Sequence, residues 1–361
     1  MSHPYKTQPD VARWSRSVSK VDRSEIDPVA SFPFRIKPDE KVATAGSCFA
    51  QHIARRMAQS GFTYLVTEPG HPLASEETHR RFQYGLYSAR YGNIYSTRQL
   101  LQLFDEAFEH RPMHSEVWEF GHRYVDPLRP SVEPEGYHEP EEVLLDRRQH
   151  LARVRKMFEE LDVFVFTLGL TEIWRNKRTG IVYPLCPGVH GGVYDPDQHQ
   201  LLNLTVSDVV ADLSEFIEKL KSVNPTALMV FTVSPVPLAA TATGNHVMVS
   251  TIHSKSVLRV ACSEIEAKFA DCSAYFPSYE IITGPHAGGR YFEEDLRSVS
   301  KEGVDHVMRV FFRHATTSVD PDAKRKRAGR AAKSEPIEAA QRMRQVNDVI
   351  CEEEMLDMGS R

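Results

Sequence analysis

The sequence predicts an α/β protein with a mostly parallel sheet and helices on both faces. Three observations carry that expectation. Short, nearly continuous apolar runs recur at residues 42–45, 161–167 and 228–233. Amphipathic stretches with helical spacing separate them. Each run ends in a loop, at Gly46, Gly169 and Ser234. Strands covered on both sides read as unbroken apolar segments, because neither face meets water. In such sheets the working residues lie on loops at the carboxyl ends of the strands.

In chain order, residues 1–39 read as a polar N-terminal arm, with Phe32-Pro33-Phe34 as its anchor on the body. The main domain spans residues 40–314. Its first strand leads through Gly46 into a helix that presents Phe49, Ile53 and Met57 at four-residue spacing. Residues 70–150 are less regular: a long loop over 71–90, a helix over 97–108 and a proline-rich connection over 127–140. Between the second and third runs, Ser207 caps a helix carrying Val209, Leu213, Phe216, Ile217 and Leu220, and Asn224-Pro225 breaks it. A further helix, over about 255–269, aligns Leu258, Ala261, Ile265 and Phe269. Residues 315–361 hold a basic run, Lys324 to Arg327, and a helical extension.

Composition excludes several classes. The 361 residues carry a net charge of −5, with 41% hydrophobic and 26% charged residues, as in ordinary globular proteins. This balance gives no general attraction to nucleic acid, and the basic run reads as a solvated segment. No apolar stretch is long enough to span a bilayer. The first twenty residues lack the apolar centre of a signal peptide. Five cysteines, at 48, 186, 262, 272 and 351, are odd in number and scattered. A cytoplasmic location is the expectation. Cys186 and His190 share a loop without a second ligand pair, so no metal site is expected. Residues 284–289 (GPHAGG) lack the helix that a phosphate-cradling loop needs, and no cofactor is expected.

The segment Gly46-Ser47-Cys48-Phe49-Ala50 carries the chemistry. A strand that turns into a helix through small residues leaves backbone N–H groups unpaired, and the positive end of the helix dipole points at the same place. That field favours a thiolate, so Cys48 is the candidate nucleophile. The alternative is a turn that merely lets helix and strand pack closely, with Cys48 an inert core residue.

Further segments follow in order: Gly92-Asn93-Ile94-Tyr95, Thr167 to Trp174, Thr232 to Val236, Ser254-Lys255 and Tyr275 to Ile281. With Gly-Ser-Cys-Phe-Ala, they make residues 40–313 resemble the GSCFA family, related to the SGNH (GDSL-type) hydrolases. The resemblance implies a flavodoxin-like three-layer α/β/α fold and ester or acyl-transfer chemistry. Laid over the Gly-Asp-Ser turn of those enzymes, Cys48 takes the attacking position, with Ser47 the second candidate. The oxyanion donors it implies are the N–H of Cys48, Gly92, and either Asn93 or Thr171, the latter standing where an asparagine is usual. Glu172 either orients a base or substrate, or caps a following helix. Related enzymes end in Asp-x-x-His, but here Asp295 is followed by Ser298, and serine cannot take a proton near neutral pH. His246, on a Thr/Gly-rich loop, is the favoured substitute base, ahead of His253 and His306, with Asp295 in support. Lys255 and Arg259, one turn apart, either bind an anionic part of the substrate or pair with surface carboxylates.

Two functions follow as expectations. One is a hydrolase or acyltransferase acting on a small-molecule or glycan ester or thioester. The other is a degenerate relative that binds an acylated or glycan ligand, or a protein partner, without turnover.

Overall fold

The computed structural model describes residues 3–317 and 352–358. The expected basic run and most of the C-terminal extension lie outside the described residues.

After a short arm helix α1 (Trp14–Ser17) come β1 (Lys41–Gly46), α2 (Phe49–Gln59) and β2 (Thr63–Tyr64). An irregular region follows with α3 (Glu76–Arg81), α4 (Thr97–Ala107), the hairpin β3 (Trp118–Phe120) and β4 (Arg123–Val125), and then α5 (Pro140–Glu160). Next are β5 (Val163–Leu168), β6 (Glu172–Asn176), β7 (Val182–Tyr183), β8 (His199–Asn203) and α6 (Val206–Val223). The order closes with β9 (Leu228–Val233), α7 (Val247–Lys268), β10 (Ser273–Tyr275), α8 (Ser278–Thr283) and α9 (Lys301–Ala315).

Five strands form the central sheet in the order β10-β9-β5-β1-β2, and every pairing is parallel. Counted along the chain this is the flavodoxin-like order, whose switch point lies between β1 and β5. Alternation along the strands divides the core in two. Ala43, Ala45, Phe164, Phe166, Met229 and Phe231 face α4, α5, α6 and α7. Val42, Val163, Val165 and Val230 face α2, α8 and α9. The larger core stacks Phe104, Phe158, Phe164 and Phe216 with ring centroids 5.1 to 5.7 Å apart. Each such burial contributes about 1.5–3 kcal/mol. The result is the expected three-layer α/β/α arrangement.

Several local expectations change. Thr205, not Ser207, caps α6: its hydroxyl accepts from Asp208 N at 3.2 Å, and Asp208 Oδ2 accepts from Thr205 N at 2.9 Å. The helix expected over 255–269 begins two turns earlier, at Val247, so His246 is its N-cap rather than a mid-loop residue. Glu172 opens strand β6 and caps no helix. β6 pairs antiparallel with β7 and β8 in a small separate sheet. The arm runs against α9. Ile36 forms a parallel bridge with Thr316, and Phe32 and Phe34 pack on the α2/α8/α9 core.

Candidate active site

The Gly46–Cys48 turn sits at the switch point of the sheet. Gly46 has φ +135°, and a Cβ there would lie 2.3 Å from the Thr167 carbonyl oxygen. Only glycine brings β1 this close to β5 before the chain turns. Ser47 N donates to Thr167 O at 3.1 Å, Ile94 N to Gly46 O at 2.8 Å, and Gly169 N to Tyr95 O at 2.9 Å. Backbone bonds thus lace together the segments around Gly46, Asn93 and Gly169. Cys48 is the N-cap of α2, and its thiol does not cap the helix. It is 4% exposed and borders the α2/α8/α9 core. Ser47 is turned toward Gly169, whose added Cβ would lie 3.2 Å from that of Ser47. The Ser47 hydroxyl is buried without a hydrogen-bond partner.

Next to this turn, Gly92 adopts φ +68° and Asn93 is 1% exposed. Asn93 Oδ1 accepts from Tyr87 Oη at 3.1 Å and from Gln51 Nε2 at 3.3 Å. Gln51 also donates to Tyr87 Oη at 2.8 Å. With its oxygen held by two donors, the amide presents its NH2 on the other side. There the Asn93 side chain and backbone N–H both donate to the carboxylate of Glu352. The Ser131 hydroxyl donates to the same group. Burial pushes the Glu352 carboxyl up to about 6, against the opposing effect of these donors.

Around the rest of the rim, Lys255 is 2% exposed and its Nζ donates to the Gly169 carbonyl. Arg259 takes no part in that contact: it pairs with Glu280 at 2.6 Å and stacks on Tyr275 at 4.0 Å. Thr171 N donates to Ser254 Oγ at 3.0 Å, and the Thr171 hydroxyl donates to Asn203 Oδ1 at 2.5 Å. That bond uses the single proton of the Thr171 hydroxyl. Glu172 accepts from Thr241 Oγ1 at 2.7 Å and Ala242 N at 3.3 Å, tethering the loop after β9.

Comparison with known protein families matches residues 41–311 to the GSCFA family. The chain belongs to the GSCFA family. No curated protein matches it in sequence.

In the last block of this GSCFA domain, Asp295 is engaged within its own turn. Asp295 Oδ2 accepts from the Ser298 hydroxyl at 2.6 Å, and Oδ1 accepts from the N–H groups of Arg297 and Ser298 at 2.9 Å each. These bonds hold its carboxyl below its ordinary value, although burial opposes them. The turn presents Arg297, whose guanidinium meets Glu353 at 3.2 Å. Of the three histidines, His246 is exposed and its Nδ1 accepts from Met248 N at 3.1 Å as a helix cap. His253 is exposed on α7. His306 is buried between Tyr291 Oη at 2.6 Å and Ile26 O at 2.8 Å, fastening the arm.

The sequence reading missed Gln51, Tyr87, Ser131, Arg297, Glu352 and Glu353. Gln51 had a signal, since it stands in the first turn after Cys48. The others meet only through the tertiary fold. His190 stacks on Phe120 at 4.6 Å, and burial pushes Cys186 up to about 11. Among the described residues no group of three or more His, Cys, Asp or Glu is placed to hold a metal ion. No helix among them is long and apolar enough to cross a membrane.

Proposed function

We propose that this GSCFA protein is an SGNH-like esterase or acyltransferase with Cys48 as nucleophile. The thiolate attacks the carbonyl carbon of an ester, and charge moves to the carbonyl oxygen. The C–O bond then breaks. The leaving alkoxide takes up the proton that the thiol gave up, and a thioester joins the acyl group to Cys48. Water or an acceptor hydroxyl attacks that thioester, giving the acid or the acylated acceptor and restoring the thiol. The N–H of Cys48, the Gly92-Asn93 backbone and the Asn93 amide serve as donors to the oxyanion. Lys255, fixed on the Gly169 carbonyl, supplies positive charge at the same edge. A base role for His246 rests on Nε2, because Nδ1 caps α7.

The observation that carries this reading is the doubly held Asn93 amide, in a segment bonded to the strand-to-helix turn at the switch point. A rigid donor needs no reorganisation when negative charge develops. Ser47 is the alternative nucleophile, favoured by its buried and unpartnered hydroxyl. The second reading, a binding module without turnover, is favoured by the commitment of Asp295 to Ser298.

The test is the rate of iodoacetamide alkylation at each cysteine as a function of pH, read by mass spectrometry. Burial pushes the thiols of Cys186, Cys262 and Cys272 upward, so these label slowly at neutral pH. Cys48 is expected to label first, with a midpoint well below the ~8.5 of a free thiol. Labelling of Cys48 no faster than Cys351, with an ordinary midpoint, selects the binding module. Turnover of an ester panel that survives Cys48→Ala but not Ser47→Ala transfers the role to Ser47.

A further inference from the structure

The C-terminal residues Glu352 to Glu354 return to the carboxyl edge of the sheet, although 34 residues, 318–351, separate them from the preceding described segment. Two adjacent carboxylates are buried there, Glu352 at 1% exposure and Glu353 at 6%. A charged side chain leaves water only where partners replace its hydration. Glu352 is received by the Asn93 amide and N–H and by the Ser131 hydroxyl. Its Oε1 lies 3.4 Å from where a Cβ on Gly92 would stand, so the glycine leaves room for it. Ser131 is itself fixed by Gln83 Nε2 at 3.0 Å. Glu353 is received by Arg297 at 3.2 Å, by the charge of Lys255, and by the N–H of Ala239 on the loop after β9. Glu354 adds a second, exposed contact to Arg297 at 3.5 Å. Neighbouring residues of one short turn therefore span both sides of the candidate site. Arg297 owes its position to the Asp295–Ser298 turn, the place where the resemblance implies a catalytic histidine.

We propose that these residues form a two-point anion site that takes an acidic peptide, and that its resident ligand is the chain's own Glu352-Glu353. One point is Asn93 with Ser131, and the other is Arg297 with Lys255. The inference rests on the reading of Gly92 and Asn93 as donors of the site, and adds what occupies them: the tail competes with any substrate that needs the same donors. A tethered ligand acts at a high effective concentration, so occupation in cis is expected to exclude the same sequence added in trans.

The test uses the full chain and reads no turnover. Amide hydrogen exchange is followed over residues 352–358 in the wild type, in Glu352→Gln/Glu353→Gln and in Arg297→Gln. Exchange in the wild type is expected to be at least about tenfold slower than in either variant and than in the free heptapeptide of residues 352–358. Wild-type exchange equal to that of the free heptapeptide overturns the proposal. Protection that grows with protein concentration assigns the tail to a neighbouring molecule and overturns the intramolecular form. In a second measurement the same heptapeptide, capped at both ends and carrying a fluorophore, is titrated into each protein. It is expected to bind the tail variant at least about tenfold more tightly than the wild type. Equal binding to the two overturns the proposal. An unreactive Cys48 removes the cysteine mechanism but leaves these results as they are. Conversely, an unprotected tail leaves the alkylation result untouched.

Discussion

Tyr87 Oη donates to Asn93 Oδ1 at 3.1 Å while accepting from Gln51 Nε2 at 2.8 Å, so one hydroxyl fixes the amide that flanks the Gly46–Cys48 turn. If Asn93 stabilises the oxyanion, Asn93→Ala lowers kcat for ester turnover by about 10²–10³ and changes KM little. Tyr87→Phe keeps the ring and removes the hydroxyl, with its bond to Asn93 and the one it accepts from Gln51. Its expected cost is smaller, about tenfold in kcat, again with KM nearly unchanged. A loss in KM alone for both variants would assign the pair to ground-state binding.

Gly46→Ala is expected to disrupt the fold rather than the chemistry. Its Cβ would lie 2.3 Å from a backbone oxygen of β5, and no side-chain rotation relieves a clash with backbone. The loss is expected to exceed about 3 kcal/mol in urea denaturation. Gly244→Ala is the comparison: it also has positive φ, at +79°, but an added Cβ meets nothing within 4 Å. There only backbone strain remains, on the order of 1 kcal/mol. Equal losses at the two sites would mean that conformation, not crowding, makes Gly46 necessary.

The central sheet was legible because β1, β5 and β9 are buried on both faces, which writes their positions as apolar runs. The Gly-Ser-Cys turn was legible because small residues at a strand-to-helix junction have few other uses. The hairpin over 118–125 and the small sheet over 172–203 were harder, since short antiparallel strands such as β3, β4 and β7 carry too few residues for a period to show. The partners of Asn93 and of Glu352 escaped for another reason. Gln51, Tyr87, Ser131 and Glu352 come from four separate segments, and nothing local distinguishes a buried polar partner from a surface one. The expected base shows the converse. His246 stands after a strand end, yet its Nδ1 accepts from the start of α7, where Met248, Val249 and Ile252 are exposed.

In that less regular region the structure is held by buried charge. Asp126 is fully enclosed and meets Arg147 at 2.7 Å and Arg129 at 2.9 Å. Burial alone would raise its carboxyl, but the two guanidinium groups hold it far below the carboxylate range. Arg147 also donates to the carbonyls of His114 at 2.7 Å and Glu116 at 2.9 Å, tying α5 to the segment before β3. Arg147→Met leaves a buried carboxylate and two carbonyls short of donors, at an expected cost of about 3–5 kcal/mol. Adding Asp126→Asn is expected to recover part of that loss, because the stranded charge is then gone. A double variant no more stable than Arg147→Met would show that the carbonyl bonds, not the ion pair, carry the effect.

A cavity of about 40 Å³ lies beside this network, lined in part by Asn93, Gln102, Glu106 and Arg147. Burial dominates at Glu106 and pushes its carboxyl up to about 7, with Arg111 and Arg147 opposing. The folded chain therefore holds this proton more tightly than the unfolded chain, where the ordinary value is 4.5. Its contribution to stability is full below about pH 4.5, falls as pH rises toward 7, and is lost above that. The total is about 3 kcal/mol. Glu106→Gln keeps the shape and cannot ionise. The difference in unfolding free energy between wild type and variant is thus expected to move by about 3 kcal/mol in favour of the variant between pH 4.5 and 7.5. Taking the difference removes every group that titrates alike in both proteins. A difference curve flat across that window would mean that Glu106 ionises in the folded chain as readily as in the unfolded one, with water in the cavity serving as its solvent.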